Sequence, residues 1–358
     1  MKKSLLALAT LTAFAGVASA QSSVTLFGIV DLAAVGVKNG SQSQKLLASN
    51  QLNSNRLGLR GIEDLGGGLR AGFWLEGAMD NDTGCGTSQT PAAAPPPAAP
   101  AVACGGQSWQ RRSTVSLLGG FGELRLGRDY TPSFWNYTIF DPFGTNGPGS
   151  MLNVVSTLGS GATTLVRANN TIGYFLPAMG GVYGQVQVAA GEGVPGNKYV
   201  GGRFGYAGGP ANVAVAYGKT YKDGGMADDY KDFNIGASFN LGFMNIMGQY
   251  SKRDFLTRDQ KTALFGLTVP IGAHTLKASV IKSSGNQGTN ATDFDAKQFA
   301  FGYQYDLSKR TALYATYSSL NNDGNATVGS RFTIGTGLAM TRGGDTSKGY
   351  ALGVRHSF

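Results

Sequence analysis

The sequence predicts an all-β fold: a 16-stranded antiparallel transmembrane β-barrel, preceded by a cleaved leader and carrying an inward-folded third loop. Three observations carry that prediction: how the chain ends, how it begins, and an alternation of apolar and polar residues between. At the C-terminus Phe358, His356, Val354, Leu352 and Tyr350 share one face; Ser357, Arg355, Gly353, Ala351 and Gly349 share the other. A two-residue period of this kind belongs to a strand. A last strand that stops at an aromatic carboxylate suits a chain closing a barrel, with Phe358 at the closure. Taken alone, it also suits the edge of a soluble sandwich.

The beginning supplies the compartment. Lys2 and Lys3 precede an apolar stretch from residue 5 to 17, followed by Ala18-Ser19-Ala20. This is the pattern of a secretory signal peptide, residues 1–20, with Gln21 as the first mature residue and 21–358 as the barrel domain. No later stretch reaches the ~18–20 apolar residues that a spanning helix needs. An exported membrane chain without such a helix is left with the closed barrel, where strands satisfy one another's backbone groups. Composition agrees: 55 Gly, 15 Tyr and 19 Phe accompany only 14% charged residues. The formal net charge is +9, and the basic residues stand singly on strands instead of in runs. They read as lumenal, and no nucleic-acid partner is expected.

In order, the alternation marks strands at 24–35, 55–62, 69–78, 111–118, 123–128, 167–176, 182–190 and 199–207. It continues at 211–221, 230–241, 243–253, 261–269, 274–282, 297–307, 311–319 and 350–358. The clearest specimen is 297–307, with Phe299, Phe301, Tyr303 and Tyr305 against Gln298, Gly302, Gln304 and Asp306. Segment 230–241 repeats it, setting Phe233, Ile235 and Phe239 against Asn234, Gly236 and Ser238. Tight glycine, proline or serine turns fall at 65–68, 119–122, 208–210, 270–272 and 308–310. Longer polar connections fall between them at 38–54, 79–110, 129–166, 222–229, 283–296 and 320–349. Short turns at one rim and long loops at the other is the barrel arrangement.

Residues 129–166 form the longest connection, and a structureless loop of that length needs a job. Pro132, Phe134, Trp135, Tyr137, Phe140, Pro142 and Phe143 suit a segment packed inside the barrel, narrowing the channel. The alternative is a loose surface loop. Asp141 is its single ionisable residue from 131 to 166. Opposite, Arg56 and Arg60 lie on the face that Leu57 and Leu59 avoid. A charge in the lipid midplane costs ~2–4 kcal/mol, so both arginines belong in the lumen. Of the adjacent Arg111 and Arg112, one is expected inside and the other near a rim. Arg167 opens the strand after the loop. Guanidiniums in excess of carboxylates favour small anions; neutralisation by Asp31, Glu63, Asp64, Glu76 and Glu123 is the alternative.

These blocks resemble the trimeric general porins of β-proteobacteria. Residues 21–31 (QSSVTLFGIVD), 55–75 (NRLGLRGIEDLGGGLRAGFWL), 123–129 (ELRLGRD), 167–174 (RANNTIGY), 306–314 (DLSKRTALY) and the ending 353–358 carry the resemblance across the whole mature chain. It implies a homotrimer in the Gram-negative outer membrane, in contact with lipid and lipopolysaccharide and delivered by the barrel-assembly machinery. The loop 129–166 would fold into the pore. The arginine blocks of anion-selective members match Arg56, Arg111 and Arg167, with Arg60 and Arg112 as neighbours.

Cys85 and Cys104, the only cysteines, flank a Pro/Ala-rich stretch within the loop 79–110. In an oxidising periplasm they are expected to pair; the loop is either a latch toward a neighbouring subunit or a decoration. His274 and His356 sit in a predicted turn and on the predicted lipid face, so neither suits a catalytic triad. Gly218-Lys219-Thr220 lacks the leading glycine of a phosphate loop. No enzyme, metal or cofactor is expected. The reading is a passive channel for small hydrophilic, preferably anionic solutes. The alternatives are a channel specific for phosphate, organic acids or sugars, and a blocked barrel acting as adhesin or scaffold.

Overall fold

The structure is a computed structural model and describes residues 23–86, 106–222, 228–286, 293–322, 332–335, 338 and 344–358. The expected leader, residues 1–20, lies outside them. Among the described residues, seventeen strands make one sheet. They are β1 Ser23–Asn39, β2 Gln42–Ser49, β3 Arg56–Gly66, β4 Leu69–Gly77, β5 Arg112–Gly119, β6 Gly122–Tyr130, β7 Arg167–Phe175, β8 Val182–Ala189 and β9 Tyr199–Gly208. Then follow β10 Ala211–Thr220, β11 Tyr230–Asn240, β12 Asn245–Phe255, β13 Arg258–Ile271, β14 His274–Asn286, β15 Phe294–Asp306, β16 Thr311–Asn322 and β17 Thr346–Ser357.

From β3 onward each strand pairs antiparallel with the next. The ladder continues through β17, which returns to β1. The sheet is therefore a closed barrel. Phe358 completes the seam: its N–H donates to the Gly28 carbonyl at 3.1 Å, and the Gly28 N–H donates back at 3.1 Å.

Seventeen segments occupy sixteen positions, because β2 and β3 share one neighbour. The upper part of β1 pairs with β2, and its lower part, Ser23 to Ile29, pairs with β3. The connection expected at 38–54 is thus mostly strand, a correction with a physical cause. Asp31 on β1 accepts the N–H groups of Leu52 (2.7 Å) and Asn53 (2.5 Å) and the Tyr314 hydroxyl. Asn55 Oδ1 in turn accepts the Asp31 N–H at 2.6 Å. Side chains replace ladder bonds, and the chain bulges between β2 and β3.

The alternation sets lipid against lumen. On β15, Phe299 and Phe301 are exposed, whereas Gln298 and Ala300 are buried. On β11, Phe233, Ile235 and Phe239 are exposed and Asn234 is buried. Exposed apolar residues form a belt around the outside, as bilayer contact demands. The polar groups face in.

Between β6 and β7 the chain forms helix α1, Pro132–Ile139, and a 3-10 turn, Met151–Val154. Proline in the first turn suits α1, since the first helical N–H groups lack intrahelical partners anyway. This segment packs on inward-facing residues of the far wall. Asn136 Nδ2 donates to the Ala214 carbonyl (3.2 Å), the Tyr137 hydroxyl to Asp232 (2.5 Å), and Gln298 Nε2 to the Gly149 carbonyl (3.1 Å). Phe134, Tyr137, Met151 and Val154 join Leu264, Ile281, Ala296, Leu320 and Ile334 in the largest buried apolar cluster.

Candidate functional site

Strands β3 to β7 carry the arginines, and the segment 131–166 stands across from them. Arg56 precedes Gly58 and Arg60 on the inward face of β3, where register sets Arg60 beside Trp74 and Gly58 beside Glu76 on β4. Glu76 is buried and central. It accepts Arg111 Nε at 2.7 Å, lies 3.4 Å from an Arg56 nitrogen, and accepts the Trp74 indole N–H at 3.1 Å.

Tyr130 is the second hub. Its hydroxyl accepts from Arg111 (2.8 Å) and from Arg167 (2.6 Å), and the Arg167 guanidinium lies 4.2 Å from the centre of its ring. Arg167 Nε also donates to the Arg111 carbonyl at 2.7 Å. The Tyr130 ring in turn stacks on Phe134 of α1 at 5.2 Å, with Trp135 edge-on at 5.2 Å. Tyr130 therefore joins the guanidinium wall to the helix. Around them lies a cavity of about 260 Å³, lined by Arg56, Arg111, Arg167, Trp135, Thr138, Thr145 and Asn146 among others. The Tyr130 ring fixes the Arg167 plane, and Glu76 with the Tyr130 hydroxyl fixes that of Arg111. A planar, fixed donor fork recognises carboxylates and phosphates geometrically.

The expected residues distribute unevenly. Arg56, Arg111 and Arg167 are brought together. Arg60 and Arg112 also face the lumen, but nearer the short-turn rim, on either side of Trp74 (5.1 and 4.5 Å to its ring centre). The expectation that only one of Arg111 and Arg112 faces inward is corrected: both do. Arg111 precedes the first residue of β5, so its side chain is not bound by strand alternation and turns inward onto Glu76. Asp141 is also corrected. It is 3% exposed, and its carboxylate accepts the N–H groups of Phe143 (2.9 Å), Thr145 (3.1 Å) and Met151 (2.9 Å). It braces the loop from within and offers the opening no charge. Cys85 is buried and disulfide-bonded; Cys104 lies outside the described residues.

Neutralisation is partial. Glu76 serves Arg56 and Arg111, while Glu123 and Asp129 serve Arg125 (2.8 and 2.6 Å) and Asp129 also faces Arg112 (3.8 Å). Asp31 is consumed by the break between β2 and β3. Among the described residues no carboxylate lies within ion-pair distance of Arg60, Arg167 or Arg203.

Sequence reasoning missed Tyr130 as the shared acceptor, and it missed Arg125 and Arg203. The last two had a signal. Arg125 lies between lipid-facing Leu124 and Leu126, and Arg203 precedes lipid-facing Phe204. The argument that puts Arg56 inside puts them inside as well.

Residues 7–325 match the Gram-negative porin family. The chain belongs to that family. It is 37% identical over 377 residues, the full length of both chains, to outer membrane porin protein 32 of Delftia acidovorans. It is 26% identical to an outer membrane porin protein of Bordetella pertussis, over 90% of this chain and 95% of that one. The anion-selective porin from Comamonas acidovorans superposes with a TM-score of 0.81 at 33% identity, covering 94% of this chain and all of that one. The porin is an outer-membrane channel of a Gram-negative bacterium, and its fold and family are those of a channel and not of an enzyme.

Proposed function

We propose that the porin passes small hydrophilic solutes by diffusion with a preference for anions, selected where Arg56, Arg111 and Arg167 face α1. The observation that carries this reading is the imbalance at that level. Of three neighbouring guanidiniums, Arg56 and Arg111 share one carboxylate, Glu76, while Arg167, held with Arg111 on the Tyr130 hydroxyl, has none within ion-pair distance among the described residues. The resulting positive potential raises the local anion concentration and repels cations. The Comamonas protein that this chain resembles is an anion-selective porin.

The finer assignments are proposals too. The porin is a homotrimer by its family resemblance, and its exposed apolar belt meets outer-membrane lipid, with lipopolysaccharide around it. The Phe358 ending serves the barrel-assembly machinery. Cys85 pairs with Cys104, closing the Pro/Ala-rich loop.

The test is the zero-current potential across a planar bilayer under a KCl gradient. Wild type is expected to favour chloride. Removing one guanidinium at ~4 Å in a watery lumen forfeits about 1 kcal/mol, so Arg167→Ala should cut the chloride-to-potassium ratio roughly fivefold. Unchanged selectivity in Arg56→Ala, Arg111→Ala and Arg167→Ala would move the filter elsewhere.

A further inference from the structure

We propose that Arg60, Trp74 and Arg112 form a second anion site, on the periplasmic side of the Arg56–Arg111–Arg167 cluster, and that it takes aromatic carboxylates. Arg60 lies four residues along β3 from Arg56, about 13 Å at strand rise, toward the rim of short turns. Arg60 is therefore set apart from the upper cluster, which the site meets at Glu76.

Its geometry is built from alternating guanidiniums and rings. Trp74 has the Arg60 guanidinium 5.1 Å and the Arg112 guanidinium 4.5 Å from its ring centre. Phe27 sits edge-on to Trp74 at 5.0 Å and 5.3 Å from Arg60. Two features hold this arrangement. A Cβ on Gly58 would run into the Phe27 ring, so the glycine leaves that ring its place. The Trp74 indole is anchored by its N–H bond to Glu76. The carboxylates nearby are committed: Glu76 to Arg56 and Arg111, Glu123 to Arg125, and Asp129 to Arg125 at 2.6 Å, with Arg112 at a looser 3.8 Å. Arg60 is exposed with no carboxylate partner among the described residues. The adjoining cavity measures about 320 Å³, with Arg60, Trp74, Arg112 and Ser116 in its lining, within the range of small-molecule sites.

These features select on shape as well as charge. A carboxylate satisfies the free donors of Arg60. A flat ring attached to it lies against Phe27, Trp74 and the guanidinium faces, which attract π-electrons. A saturated ring of equal charge is puckered and lacks the quadrupole. Chloride gains nothing from the rings.

The proposal rests on the anion-channel reading, and its test separates the two. Binding of benzoate and of cyclohexanecarboxylate to the folded porin in detergent is measured by isothermal titration. Benzoate is expected to bind about fivefold more tightly. Trp74→Leu should bring the two acids level, and Trp74→Tyr should restore the preference. Arg60→Gln should weaken both acids together and leave their ratio unchanged. Equal affinities in wild type overturn the proposal, as does a ratio that survives Trp74→Leu. If Trp74→Leu does not fold, the wild-type ratio and Arg60→Gln still decide it. A porin that favours chloride over potassium yet binds both acids equally sinks only this inference. One that shows no anion preference sinks the earlier reading.

Discussion

Asp141 shows how one residue can look like a pore charge and be a brace. Full burial pushes its carboxyl up to about 6 against the three amides that favour the ionised form. A carboxylate whose folded pKa is raised binds its proton more readily in the folded state. The penalty is absent below the unfolded value near 3.8 and fully present above about 6. Relative to Asp141→Asn, wild type should therefore lose stability as pH rises from 4 to 6, by on the order of 3 kcal/mol. Thermal unfolding of both proteins across that range checks the sign; parallel curves would refute it. The sequence showed a lone acid in an aromatic loop, and nothing local distinguishes a pore-lining acid from one satisfied by amides of its own turn. Arg56 and Arg60 were legible for the opposite reason: their Leu57 and Leu59 neighbours need lipid, so the alternation decides where the guanidiniums go.

At the scale of elements, the loop has a seat. Phe140, Pro142 and Phe143 rest where a Cβ would otherwise sit on Gly236 of β11, Gly266 of β13 and Gly302 of β15. All three glycines lie on the lumen side of odd-numbered strands, and a strand glycine often marks the close approach of another segment. Gly236→Val should push Phe140 off the wall, cost about 1–3 kcal/mol by overpacking, and shift α1 relative to the arginines. Single-channel conductance should change and become noisier, whereas Gly120→Val, in the β5–β6 turn with open space around it, should leave it unaltered. Equal effects from both would refute the seat. The strands themselves were legible, because lipid and water demand opposite residues at every step. The interruption between β2 and β3 was not. It depends on Asp31 and Tyr314, distant in sequence from the 50–55 segment, and no periodicity reports such a contact.

The whole molecule is divided in two. Strands β3 to β9 carry Arg56, Arg60, Arg112, Arg125, Arg167 and Arg203, several held on rings: Arg125 on Phe175 at 3.9 Å and Arg203 on Tyr183 at 4.6 Å. The opposite wall is largely covered by the loop 131–166 through hydrogen bonds to Asp232, Gln260 and Gln298. Solute then passes between a charged wall and a nearly neutral one, so selectivity depends on a field crossing water. Such a field is screened: the Debye length is about 30 Å at 0.01 M salt and about 3 Å at 1 M. A permeability ratio measured around 0.01 M should exceed the ratio around 1 M severalfold, with the preference still for anions. Arg167→Ala should flatten that dependence, since Arg167 lacks a carboxylate partner among the described residues. Contact binding at a tight ring would behave differently, because ions touching guanidiniums are only weakly screened from them. A ratio independent of salt would therefore assign selectivity to direct coordination at Tyr130, Arg111 and Arg167, and a ratio that collapses would assign it to the charged wall as a whole.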